Sequence, residues 1–214
     1  MESKILDKEL KAFFGRITKE EAKRGIYIDF EGFEDKAPTM LGIQIDGKFT
    51  QVIFDERLEP AAKEKGLSVE KPKVFLANLV RQAKQESRRI FAYSQHENNI
   101  FREFYSLDLD PFYCDVRFVA KKLKSKKYPT YELKSRELKK YLEMIGFERP
   151  KNLGIQKSTK RIRDVINGLE KNNNNFSQLT STQKSKWTNL LNHNKCDVKG
   201  MEAIVKDYLK AFQT

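Results

Sequence analysis

Ile26-Tyr27-Ile28-Asp29-Phe30-Glu31-Gly32 is the stretch on which the reading of this chain turns. Its period of two makes it a strand, with Ile26, Ile28 and Phe30 on one face and Tyr27, Asp29 and Glu31 on the other. Two carboxylates on one side of a short strand repel each other, and a divalent cation would remove that repulsion. Paired acids beside a sheet are one way of holding Mg²⁺ or Mn²⁺ for phosphoryl chemistry. The same D-x-E also fits a half-buried strand with a solvated acidic edge, so further signals must decide.

Downstream, residues 40–45 and 49–54 read as strands joined by Asp46-Gly47, a short-hairpin signal, so three antiparallel strands open the core. Pro72 starts a helical pattern through Leu76, Leu79 and Val80 that ends near Ser87. Residues 89–93 read as a fourth strand, 97–105 as a helix, 112–114 as a short fifth strand and 116–123 as a helix. Leu133, Leu138, Tyr141, Leu142 and Ile145 predict a helix over 132–145, stopped by Gly146. Residues 155–169 form a weaker helical pattern, and the asparagines at 172–175 suit a loop. The last helical stretch, 182–212, is expected to break near 192–194, where two asparagines flank a histidine. Upstream, Leu6, Leu10, Phe13 and Phe14 predict a helix within 4–24. The element order implies an α/β fold, a mixed five-stranded sheet of three antiparallel strands and then parallel additions, flanked by helices. That is the ribonuclease H type, favoured over a doubly wound nucleotide fold because no Gly-rich phosphate loop is present. Residues 25–214 are read as one domain and 1–24 as a helical extension packed on it.

Lys and Arg outnumber Asp and Glu by 42 to 30, a formal charge of +12. Such a surplus favours a polyanionic partner, nucleic acid first and an anionic membrane surface second. The cations spread over 121–140 and 157–163, which suits a folded surface that follows a phosphate backbone. No stretch approaches the roughly 20 apolar residues of a membrane span, and the N-terminus leads into no apolar signal core. A soluble, cytoplasmic protein is expected. Cys114 and Cys196 lack a CxxC spacing, so reduced thiols are expected, with neither a zinc site nor a disulfide framework.

Two more constellations carry potential chemistry. Glu97 opens a helix where the fourth strand ends, in Tyr93-Ser94-Gln95-His96-Glu97, a place that suits a reactive carboxylate and equally a helix cap. His96 beside it also fits a turn residue. In His193-Asn194-Lys195-Cys196-Asp197, His193 and Asp197 lie one helical turn apart, where the aspartate could ligate metal and the imidazole take a proton from water. A surface i,i+4 pair is the plainer alternative.

In order, these sites resemble the DEDD superfamily of ribonuclease H-like 3′–5′ exonucleases, in particular the prokaryotic branch of predicted ribonuclease H-like nucleases. Asp29-Phe30-Glu31 is similar to the first motif, Glu97 with Phe101 one turn later to the second, and Asp197 to the acid of the third. Tyr131-Glu132-Leu133-Lys134, followed by Leu138, Tyr141, Leu142 and Gly146, looks like the segment between the second and third motifs. The resemblance covers roughly residues 25–212 and departs from the family in two places. The second motif usually carries aspartate where this chain has Glu97, and His193 has the three-residue spacing that the family gives to tyrosine. Asp115 resembles a further aspartate found after the fifth strand and fits a helix cap equally well.

The resemblance implies a metal-dependent nuclease, most directly a 3′–5′ exonuclease acting on a single-stranded 3′ end of DNA or RNA. Asp29, Glu31, Glu97 and Asp197 would hold two Mg²⁺ or Mn²⁺ ions, with His193 as proton acceptor. Lys121, Lys122, Lys124, Tyr131 and Lys134 would contact nucleic acid, with Tyr128, Tyr131 or Trp187 available for stacking on bases. A structure-specific endonuclease on the same fold, or a catalytically inactive nucleic-acid-binding subunit, are the alternatives.

Overall fold

Strand β1 (Ile26–Glu31) is central to the sheet and covered on both faces: five of its six residues are buried and Asp29 is half-buried. This corrects the expectation of a half-buried strand with a solvated edge. The computed structural model describes residues 17–33, 36–110, 112–150, 153 and 158–212. The helix expected around Leu6 to Phe14 lies outside them. Helix α1 (Lys19–Arg24) is capped by Thr18, whose hydroxyl accepts from the Glu21 amide while the Glu21 carboxylate accepts from Thr18 N–H. This reciprocal arrangement satisfies two helix-end donors.

β1 pairs antiparallel with β2 (Met40–Ile45), which pairs antiparallel with β3 (Lys48–Ile53). Asp46 and Gly47 both take positive φ, 50° and 77°, as a tight hairpin matching the strand twist requires. After a 3₁₀ turn (Glu56–Leu58) and α2 (Glu59–Glu64), the short β4 (Ser68–Val69) runs parallel to β3. Next come α3 (Pro72–Gln85), β5 (Ile90–Ala92), α4 (Gln95–Tyr105), β6 (Tyr113–Asp115) and α5 (Val116–Lys127). The chain continues through α6 (Leu138–Met144), α7 (Ser158–Lys171), a further 3₁₀ turn (Phe176–Gln178) and α8 (Ser181–Phe212). The sheet order is β4-β3-β2-β1-β5-β6, with β5 parallel to β1 and β6 parallel to β5.

The fold is therefore α/β with a mixed sheet flanked by helices, and the sheet has six strands where five were expected. Two residues of β4 are too few to show a period, so pairing with β3 alone makes them a strand. Ile26, Ile28 and Phe30 pack with α3 and α4 through Leu76, Leu79, Ile100 and Phe101. Tyr27, on the opposite face, packs with α5, α6 and α8 through Val119, Tyr141 and Met201. Met40 and Ile53 extend that second face toward α7 and the start of α8, where Trp187 is fully buried.

Two helix expectations need correction. The helix over 132–145 begins only at Leu138, and the preceding segment stays irregular, its Arg136 carbonyl accepting from the Tyr93 hydroxyl at 2.5 Å. Helix α8 runs unbroken for 32 residues, about 48 Å at 1.5 Å per residue, so it crosses the sheet and brings its middle over β1. Asn194 does not break it because the side chain is buried and its amide is fully engaged by tertiary partners. No helix among the described residues is long and apolar enough to cross a membrane.

Candidate functional site

The close approach of α8 to β1 is made possible by Gly42. It is the register partner of Asp29, and a Cβ placed on it would stand 2.0 Å from Asn194 Oδ1. Through this gap the Asn194 amide donates to both the Asp29 carbonyl and Asp29 Oδ2, each at 2.9 Å. Its oxygen accepts from Gln51 Nε2, also at 2.9 Å. Asp29 is thus oriented by a fully buried side chain from an element 165 residues away. Glu31, two positions along the same face, is almost wholly buried.

One turn of α8 brings His193 and Asp197 to the same place. His193 Nε2 stands 3.3 Å from Asp197 Oδ2 and 3.9 Å from Glu31 Oε1, so the pair is not a solvated surface contact. Arg149, from the segment after α6, places Nη2 2.8 Å from His193 Nδ1 and 3.1 Å from Asp197 Oδ1. A guanidinium can only donate, so Nδ1 accepts and Nε2 carries the ring proton toward the acids. Burial first, then Arg149 and Arg161, hold the imidazole pKa down to about 4.

Glu97 comes from the start of α4. The Ser94 hydroxyl accepts from the His96 amide, and the Glu97 carboxylate accepts from Ser94 N–H at 3.3 Å, so the capping reading of Glu97 is correct as far as it goes. Yet the carboxylate is buried and close enough to Asp29 to hinder its ionisation, so capping and site membership coexist. Its own pKa is pushed to about 7, mainly by burial against the pull of two backbone N–H groups, with Asp115 adding repulsion. Asp115, fully buried, caps α5 by accepting from the Arg117 amide at 2.8 Å. Burial raises its pKa too, while the Arg117 amide and guanidinium and Lys121 oppose the rise. His96 is an exposed first-turn residue of α4.

The cluster is charge-unbalanced. Burial raises Asp29 well above the carboxylate range, and Glu31, Asp197 and Glu97 raise it further against the Asn194 hydrogen bond. Burial likewise lifts Glu31 to about 8, despite a hydrogen bond from Ser158 and the charges of Arg161 and Arg149. Asp197 rises to about 6 through burial, opposed by Arg149. Crowded, buried carboxylates that Arg149 and Arg161 answer only in part are the donor chemistry that hard divalent cations take. As the side chains stand, however, no group of three or more His, Cys, Asp or Glu among the described residues is gathered tightly enough to hold one ion.

Beside Glu31 opens a cleft of about 350 Å³ bordered by Phe33, Phe104, Lys36, His96, Ser158 and Thr159. Lys36 and Arg163 lie over the Phe33 ring at 5.9 and 5.8 Å, and Phe104 is exposed. Of the residues expected on a nucleic-acid track, Lys122 and Lys134 are exposed, Lys121 lies 5.0 Å over the Phe118 ring, and Tyr131 is exposed. Lys124 Nζ donates to the Pro129 carbonyl at 2.9 Å, and the Tyr128 hydroxyl donates to Asp207 at 2.9 Å. Trp187 is corrected from a stacking candidate to a core residue: it has no exposed surface and its indole donates to the Ala61 carbonyl at 3.0 Å.

Sequence reading missed Arg149, Arg161, Ser158, Gln51 and Asn194. For Asn194 a signal existed in Gly42, since a glycine inside an apolar strand marks close approach of another group. No family model, curated protein or solved structure matches the chain.

Proposed function

We propose that this chain is a metal-dependent nuclease that hydrolyses phosphodiester bonds of DNA or RNA, most directly as a 3′–5′ exonuclease. The observation that carries the reading is the meeting of Asp29, Glu31, Glu97 and Asp197. They come from β1, α4 and α8; burial raises the pKa values of all four, and neighbouring carboxylates of the group raise Asp29 and Glu31 further. Burying four carboxylates together costs stability unless something positive is to be bound. Three antiparallel strands followed by parallel additions, with the first acids on the central strand, support the ribonuclease H-like assignment.

Asp29, Glu31, Glu97 and Asp197 would be the ligands of Mg²⁺ or Mn²⁺, and the bound cations would supply charge neutralisation and Lewis acidity at the scissile phosphate. Asn194 fixes the direction of the Asp29 carboxylate, and Ser94 N–H that of Glu97. The cleft beside Glu31 would seat a nucleotide, with the Phe33 and Phe104 rings for the base and Lys36 for the backbone. His193 would receive the proton of the attacking water at Nε2. That role requires the ring proton to sit on Nδ1, and hence Arg149 turned away from the imidazole.

One observation favours a second reading, a nucleic-acid-binding protein without catalysis. The Arg149 guanidinium already answers the charge of Asp197 and contacts His193. Purified chain incubated with end-labelled single-stranded DNA and RNA, in Mn²⁺ and in EDTA, decides between the readings. Cation-dependent shortening from the 3′ end is expected. Cleavage of circular strands would indicate an endonuclease, and salt-sensitive binding with no cleavage in Mn²⁺ would establish the binding protein.

A further inference from the structure

We propose that Gln51 is a positioning residue for the acidic site: through Asn194 it sets which end of an amide meets Asp29, and so which Asp29 oxygen is left for a cation. The inference rests on the metal role proposed for Asp29, but the control of the amide by Gln51 is separable from that role.

The sheet brings the parts into line. Gly42 of β2 is the register partner both of Asp29 on β1 and of Gln51 on β3, so the three form one row across the sheet. Residues directly opposite one another share a face, which puts the Asp29 and Gln51 side chains on the side toward α8, two strand spacings or roughly 9–10 Å apart. Glycine leaves the middle of that row without a side chain, and the Asn194 amide lies there, its Oδ1, Cγ and Nδ2 all within 2.9 Å of where a Gly42 Cβ would stand. Asn194 thus spans the row, with Nδ2 toward Asp29 and Oδ1 toward Gln51.

Two main-chain carbonyls fix the sense of both amides. Gln51 meets the Leu191 carbonyl at 2.9 Å and Asn194 meets the Asp29 carbonyl at 2.9 Å; a carbonyl only accepts, so each contact is made by an NH₂ group. Gln51 Nε2 therefore also donates to Asn194 Oδ1, and Asn194 Nδ2 keeps a hydrogen for Asp29 Oδ2, both at 2.9 Å. Reversing Asn194 would set NH₂ against NH₂ at one end and its oxygen against two Asp29 oxygens at the other. Without Gln51 the first of these penalties vanishes and Asn194 Oδ1 is left buried without its donor, so the amide loses its reason to hold still. With Oδ2 taken by Asn194, Asp29 Oδ1 meets no hydrogen-bond donor among the described residues and is the oxygen free for a cation. Residues that orient a metal ligand in this way typically change metal affinity by about 10–100-fold when removed.

The test pairs side-chain amide NMR of the full chain in EDTA with Mn²⁺ titration followed by electron paramagnetic resonance. Asn194→Ala identifies the Asn194 NH₂ signals by their disappearance. In the wild type both hydrogens are held by Asp29 oxygens and should exchange slowly with water. Gln51→Met keeps the length of the side chain and removes the donor, so Asn194 exchange should quicken by about tenfold or more, and Mn²⁺ should bind about 10–100-fold more weakly. Gln51→Leu, smaller and equally without a donor, should do the same and keeps the test available if the methionine variant does not fold. Unchanged Asn194 exchange in a folded variant overturns the proposal. So does Mn²⁺ affinity at the parental value in a variant that merely unfolds more easily, since Gln51 would then serve packing alone. If the wild type binds no Mn²⁺ while Asn194 exchange still depends on Gln51, control of the amide stands and the metal reading falls.

Discussion

At Asp29 one side chain carries three roles: it is held by Asn194, crowded by three other carboxylates, and placed on a strand buried from both faces. Asp29→Asn removes the charge and keeps the volume. We expect cleavage in Mn²⁺ to be lost while single-strand binding persists, and the melting temperature in EDTA to stay level or rise, since one repelling charge is gone. Turnover at the parental rate would refute the metal assignment. His193→Ala should lower the cleavage rate by about 10²–10⁴, the usual contribution of a positioned proton acceptor, while Mn²⁺ affinity measured by titration stays near the parental value. An unchanged rate would leave proton removal to another group.

At the scale of elements, the site depends on how closely α8 crosses β1 and β2. Gly42→Ala sets a methyl against Asn194, so it should misalign Asp29 without touching any carboxylate. Asn194→Ala takes the side-chain donor from the Asp29 carbonyl and carboxylate and leaves Gln51 only the Leu191 carbonyl, a loss of about 1–3 kcal/mol by the usual cost of unmet buried polar groups. Chemical denaturation measures the second, and a Gly42→Ala protein with full activity would show that the close approach is not needed. Along α5, Lys121, Lys122 and Lys124 present cations of which Lys124 also ties down the loop carbonyl of Pro129. Replacing all three should weaken single-strand binding and flatten the plot of log affinity against log salt by up to about 2 units of slope. An unaltered slope places the nucleic-acid track elsewhere, with the cleft at Phe33 and Lys36 the next candidate.

For the whole molecule, the acid cluster sets how stability depends on pH. Glu31, Glu97 and Asp197 are lifted to about 8, 7 and 6, and Asp29 is raised as well. Groups whose folded pKa exceeds the unfolded one leave the folded chain with more protons across that interval, so stability falls as pH rises through it. His193 acts oppositely between about 4 and its ordinary 6.5, but it is one group against several. In EDTA the melting temperature should therefore fall from about pH 5 to about pH 8, and Mn²⁺ should diminish the fall by taking over the role of the protons. A melting temperature that climbs over that range in EDTA would mean the carboxylates are not crowded as described.

What the sequence by itself determined was local. Alternation in residues 26–31 gave the strand and put Tyr27, Asp29 and Glu31 on one face. Asp46-Gly47 gave the hairpin, Ser94 with Glu97 the cap of α4, and the i,i+4 spacing the pairing of His193 with Asp197. These signals act over a few residues through backbone geometry, so they are legible without the fold. Tertiary structure alone decided that Asn194 is an anchor and not a helix breaker, that β4 exists, and that Arg149 and Arg161 join the carboxylates. The physical reason lies in burial. Asparagine weakens an isolated helix because its amide competes for backbone groups, but a buried amide satisfied by Asp29 and Gln51 stabilises the packed one. An arginine's place in a cluster is likewise fixed by the charges that desolvation makes it answer, and no spacing along the chain encodes them.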